Sequence, residues 1–218
     1  MKRILFSCFG LSLLSHAAEW ELQPVKYNQE GLIVDLGVGL WAWPMPMDYD
    51  GDGDFDLVVS CPDKPTNGFY YFENTTQDAK VKMPVFRAGV HLGKTGHNVQ
   101  VSYVDGTPRV LRENYEYRDF LKKGFTQQEK IYPERNFHKS WGQTRAHMWR
   151  YLDWEGDGDQ DLIVGLGDWS DYEWDHAYDA QGRWRNGDLH GWVYLIENEN
   201  GTYSDHPVKV EAGGAPVD

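Results

Sequence analysis

Two nine-residue segments gather carboxylates at a spacing suited to a cation. They are Asp48-Tyr49-Asp50-Gly51-Asp52-Gly53-Asp54-Phe55-Asp56 and Asp153-Trp154-Glu155-Gly156-Asp157-Gly158-Asp159-Gln160-Asp161. Each has acidic residues at positions 1, 3, 5 and 9 and glycine at position 6. Ca²⁺ takes about six to eight oxygens, and alternate residues of a tight loop can point them at one centre. Glycine at position 6 allows the turn that a Cβ would obstruct, and position 7 (Asp54, Asp159) would offer its backbone carbonyl. An EF-hand needs a bidentate Glu at position 12 and a following helix. Here position 12 is Val59 or Val164, within the apolar runs Leu57-Val58-Val59 and Leu162-Ile163-Val164. Asp56 and Asp161 therefore close the loop from a strand start. One such segment reads as an acidic surface hairpin. Two with the same spacing, each before a strand, favour calcium by about nine to one. The expected metal ligands are Asp48, Asp50, Asp52, Asp54 and Asp56 in one site, and Asp153, Glu155, Asp157, Asp159 and Asp161 in the other.

The elements that must hold these loops repeat along the chain. Pro46 to Val59 is followed by Gly68-Phe69-Tyr70-Tyr71-Phe72, and Tyr151 to Val164 by Gly191-Trp192-Val193-Tyr194-Leu195-Ile196. A further strand-like stretch then comes at Pro84–Gly89 and at Pro207–Gly213. Each unit reads strand, acidic loop, strand, strand, strand. The two loops start 105 residues apart, about twice a four-stranded blade of 40–50 residues. A loop-free copy is expected between them. Val99 to Val104, the turn Asp105-Gly106 and Arg109-Val110-Leu111 give its first hairpin, with a short helical excursion around Asp119–Lys123.

On these D-x-D-G-D-G-D-x-D-L loops the chain resembles the FG-GAP/VCBS repeat family, the integrin-α-like β-propellers. The resemblance implies an all-β propeller of four-stranded blades, with the loops joining the first and second strands of a blade. About three blades are expected: residues 41–93 with calcium, 94–142 degenerate and metal-free, and 143–218 with calcium. Residues 19–40, with Leu32–Leu36 as a strand, would give the outer strand of a closing blade. Closed propellers usually need four or more blades, so the chain is expected to be a segment of a larger propeller or to need a partner. The sequence departs from the family's Gly-Ala-Pro signature at Ser60-Cys61-Pro62 and Gly165-Leu166-Gly167.

Alternating strands would place the acidic loops on one face and the other connections on the opposite face. There the connection from Asp168 to His190 is unusually long, and such loops are often functional. It carries Trp169, Tyr172, Trp174, Asp175, His176 and Trp184. Aromatic faces beside hydrogen-bonding groups hold sugar rings by stacking and directional bonds. The competing reading is a small satellite core that caps the sheet. Basic groups expected on the same face suggest an enzyme alternative, a polysaccharide lyase or hydrolase acting on uronate-containing glycans. A lyase needs a cation on the carboxylate and a group that takes the α-proton. His97, Tyr115, Arg112 and Arg145 are its candidate catalytic residues. A third reading is an adhesion module for a protein partner. Binding is favoured over catalysis, and carbohydrate over protein. No G-x-S-x-G, Walker loop, C-x-x-C or H-E-x-x-H occurs.

Met1-Lys2-Arg3, the apolar stretch Ile4–Leu14 and Ser15-His16-Ala17 read as a secretory signal over residues 1–18, cleaved near Ala17/Ala18. Its apolar stretch is too short for a membrane span of about 20 residues, and no other segment is apolar enough. Removing Lys2 and Arg3 takes the formal net charge from −13 to −15. That balance argues against nucleic acid and anionic membranes as partners. Cys61 would then be the one cysteine left of two, so core packing and metal must replace disulfides. About 200 residues suffice for one sizeable core.

Overall fold

The structure is a computed structural model that describes residues 40–76, 84–173 and 176–218. The expected signal and the Leu32–Leu36 strand lie outside these residues, as do Trp174 and Asp175. The described chain is all-β apart from one short helix and two 3₁₀ turns. Among the described residues no helix is long and apolar enough to cross a membrane.

Three four-stranded antiparallel sheets follow one another, each a meander. The first contains β1 (Trp43–Met47), β2 (Asp56–Cys61), β3 (Gly68–Phe72) and β4 (Val90–Gly93). The second contains β5 (Gln100–Val104), β6 (Thr107–Arg112), β7 (Tyr115–Tyr117) and β8 (Gln128–Lys130), with helix α1 (Phe120–Lys123) between the last two. The third contains β9 (Thr144–Leu152), β10 (Asp161–Asp168), β11 (His190–Ile196) and, after the hairpin β12 (Asn198–Glu199) and β13 (Thr202–Tyr203), β14 (Val208–Lys209). A last hairpin pairs β15 (Glu211–Ala212) with β16 (Ala215–Pro216).

Side-chain alternation decides which residues face the core. In β1, Trp43, Met45 and Met47 are buried while Pro44 and Pro46 are exposed. Both prolines share one parity on an edge strand, where a missing N–H interrupts no ladder. Burying each Met contributes about 1.5–3 kcal/mol. The second sheet supplies both of its neighbours. Val99, Val101, Val110 and Tyr117 join Trp43, Met45, Met47, Val58 and Phe69 in one core. Leu111, the residue after Val110 and so on the opposite face, joins Trp149, Leu162, Val164, Tyr194 and Ile196 in another. Polar groups stitch the second and third sheets. Glu116, 1% exposed, accepts from Arg109 Nη2 at 2.6 Å and from the Tyr151 hydroxyl at 3.1 Å. Arg118 Nη1 lies 3.3 Å from the same carboxylate, so two cations share this buried charge.

One expected strand is displaced. The fourth strand of the first sheet is Val90–Gly93, and of the Pro84–Gly89 stretch only Phe86 bridges, to Asn74. Pro84 has no N–H to give a ladder. Val85 and Arg87 exchange backbone hydrogen bonds with Thr75 and Glu73, just past the end of β3, and a Cβ on Gly89 would lie 2.7 Å from the Phe72 ring.

Candidate functional site

Each sheet begins with a hairpin, and the three hairpins differ in their turns. The middle one closes in two residues, Asp105 and Gly106, at φ 49° and 72°, the left-handed pair that matches strand twist. The outer two pair Met47 with Asp56 and Leu152 with Asp161, and the acidic segments fill the connections.

The two acidic loops use one hydrogen-bond plan. Asp48 accepts from the Gly51 and Gly53 amides at 2.8 and 3.1 Å; Asp153 accepts from Gly156 and Gly158 at 2.8 and 3.2 Å. Asp52 and Asp157 accept from the amides of Asp54 and Asp159. Asp56 takes the Tyr49 and Asn74 amides at 3.0 and 2.9 Å, and Asp161 takes those of Trp154 and Asn198, both at 2.8 Å. Asp56 and Asp161 are 2% and 1% exposed, so each is a buried anchor that ties loop, second strand and third strand together. Gly53 and Gly158 lie at φ 99° and 97° with open space around the missing Cβ; backbone conformation, not crowding, selects glycine there.

The first loop draws carboxylate oxygens of Asp48, Asp50 and Asp56 within 4.8 Å of one another. Oxygens around one Ca²⁺ at about 2.4 Å have that separation. Each carboxylate oxygen already receiving an amide keeps a second lone pair, so the three together could hold a metal ion. Among the described residues no second trio is as close. Burial, then the Asp52, Asp56 and Asp50 carboxylates, push the Asp54 carboxyl up, and Asp54 Oδ1 is buried without a partner. Burial also raises Asp56 against its two amide donors. In the second loop burial and then the Asp161 carboxylate raise Glu155.

The long connection lies at the opposite end of β10 from its acidic loop, and its described residues are tied to one another by several contacts. Tyr178 bridges Trp184, Arg185 donates to the Ala177 carbonyl at 2.8 Å, and Gly187 donates to Asp171 at 2.8 Å. Tyr172 packs on Trp169 and Trp184 with ring centroids 5.1 and 4.6 Å away, and Tyr178 meets Trp184 at 5.3 Å. The rings form one cluster, in which Tyr178 is 63% and Trp184 37% exposed. His176 sits at φ 59° before buried Ala177.

Beneath this loop lies a buried network with no signature in the sequence. His138 bonds Tyr194 at 2.7 Å and Asp168 at 2.8 Å, and the Trp192 indole donates to Asp168 at 3.1 Å. Burial works to raise the Asp168 carboxyl, but the Ser170 amide, the Trp192 indole and His138 outweigh it and hold the group well below the carboxylate range.

The four candidate catalytic residues do not meet. Arg112 and Tyr115 line a cleft of about 450 Å³ with Glu113, Glu134, Arg135 and Trp141. The Arg112 guanidinium lies 4.5 Å over the Tyr115 ring and donates to Gln128, while the Tyr115 hydroxyl donates to Glu134. His97 lines a different cleft, and Arg145 lies 4.4 Å over the Trp169 ring. Compared with known proteins, the chain matches no family model, no curated protein and no solved structure.

Proposed function

We propose that the chain is a secreted, calcium-stabilised β-propeller segment of FG-GAP/VCBS type that serves as a carbohydrate-binding module. The propeller reading is supported by three successive four-stranded meanders, stacked in chain order, with the acidic loop at the same hairpin of two of them. Calcium in those loops is structural. With its oxygens supplied by five acidic positions it has little open coordination for a ligand, and it would neutralise carboxylates that otherwise repel. Export through a leader over residues 1–18 would place the protein where calcium is abundant.

The carbohydrate assignment rests on one observation: the exposed Trp184 and Tyr178 rings, backed by Tyr172 in the same loop. A rigid aromatic ledge offers stacking area at low entropic cost. The loop from Asp168 to His190 has six acidic residues against Arg183 and Arg185, so it favours a neutral sugar. Isothermal titration with neutral oligosaccharides tests this. Binding that falls at least tenfold in Trp184→Ala, with unfolding temperature unchanged, is the expected result; binding indifferent to that substitution would remove the assignment. The enzyme reading is weaker, because His97 lines a different cleft from Arg112 and Tyr115. A protein partner at the same loop would bind in the presence of competing glycan.

A further inference from the structure

A second cleft, of about 500 Å³, opens at the other end of the first sheet from its acidic loop. Its lining is Pro62, Asn67, His91, Gly93, Lys94, Thr95 and His97, with no acidic residue. In a chain of net charge −13 that is a local reversal. The topology creates it. Strand β2 runs from Asp56 to Cys61, so about 17 Å of strand separates the carboxylates from this end, about two Debye lengths at physiological salt.

Both walls of the cleft are fixed. The connection after β4 is pinned by buried Ser60, which bonds Thr95 and donates to the Gly96 carbonyl at 2.6 Å. The connection between β2 and β3 is closed by Asn67, whose side-chain carbonyl accepts the Asp63 amide at 3.2 Å; the Asp63 carboxylate in turn accepts the Lys64 amide. The His91 ring packs on Tyr70 with centroids 5.2 Å apart and lies where a Cβ on Gly68 would stand. Lys94 is exposed and, among the described residues, has no hydrogen bond or ion pair. His97 meets Trp43 edge-on at 5.8 Å, and Trp43 stacks on Trp41, which is 43% exposed.

We infer that this cleft binds the carboxylate of a uronic acid residue in a glycan. Lys94 supplies the charge, Thr95 and the Asn67 amide supply neutral hydrogen bonds, the two imidazoles bracket the carboxylate, and Trp41 offers a face for the sugar ring. The inference rests on the reading of the chain as a glycan-binding module. It adds a subsite whose preference is the reverse of that of the acidic Trp184 loop.

The test is a nuclear magnetic resonance titration of the full chain in calcium with sodium glucuronate, glucose and sodium sulfate, following the His91 and His97 ring protons. Glucuronate should shift both rings saturably, and glucose should shift neither. Lys94→Gln should weaken glucuronate about tenfold, the loss of one charge-assisted bond, and Lys94→Arg should restore most of it. Because Lys94 is exposed, the unfolding temperature should not move. Rings indifferent to glucuronate, equal shifts with glucose, or sulfate binding in place of glucuronate would each overturn the uronate site. If neutral oligosaccharides still depend on Trp184 in that event, only this subsite fails. If neither ligand binds, the glycan-binding reading fails with it.

Discussion

The two acidic loops share a backbone plan and differ in how well their carboxylates are satisfied. Asp56 and Asp161 hold corresponding amides, as do Asp48 and Asp153. At position 3 the first loop has Asp50, which accepts from the Tyr71 hydroxyl at 2.9 Å; the second has Glu155, and the residue across the ladder corresponding to Tyr71 is Leu195. At position 7 the roles reverse. Asp159 Oδ2 takes the Asn200 amide at 2.7 Å, whereas Asp54 Oδ1 is buried without a partner. Shared amides fix the loop shape. The unshared contacts distinguish the loops: the first draws three carboxylates together and leaves Asp54 Oδ1 without a partner, whereas the second satisfies Asp159.

The largest test targets what is shared. Asp56→Ala and Asp161→Ala should each cost about 3 kcal/mol in chemical denaturation, because each removes a buried carboxylate and leaves two part-buried amides without an acceptor. Unequal costs would break the equivalence of the loops. Next, chelator should lower the unfolding temperature of the wild type by several degrees. In calcium titrations Asp50→Ala should weaken the first site more than Glu155→Ala weakens the second.

Position 7 gives opposite signs. The Asp54 carboxyl is raised by burial and by three neighbouring carboxylates. A raised folded-state pKa means stability that is present below the unfolded pKa and lost as pH rises through the folded one. Metal-free Asp54→Asn should therefore melt above wild type at pH 7, and the gap should close as pH falls into the ordinary carboxylate range. Asp159→Ala, which loses the acceptor for Asn200, should melt below wild type. The smallest effect is Tyr71→Phe, about 0.5–1 kcal/mol for one hydroxyl bond, read by denaturation with Leu195→Ile as the matched control.

Local patterning was legible where period and turn chemistry agree. Asp105-Gly106 between alternating segments marks the hairpin β5–β6, and the carboxylate spacing marks both loops. The fourth strand of the first sheet differs from the expectation because Pro84–Gly89, though strand-like in composition, pairs with Glu73–Thr75 beyond the end of β3 and leaves β3 itself to Val90–Gly93. The His138–Asp168–Trp192–Tyr194 network spans 56 residues of sequence and carries no spacing rule, so only folding brings it together. The same holds for His91, whose seat over Gly68 joins two strands. Of the proposed sugar ledge, Trp184 and Tyr172 were visible as aromatics in a long loop, but which ring stays exposed depends on the bridge between Tyr178 and Trp184.

The central claim is that both acidic loops are calcium sites that stabilise the sheets. Calcium titration calorimetry of the full chain tests it most directly, beside Asp52→Ala, Asp157→Ala and the double variant. The account predicts two ions bound by the wild type, one by each single variant and none by the double, with calcium-dependent unfolding lost in the same order. Calcium binding that survives in the double variant, or a wild type that binds none, would contradict it.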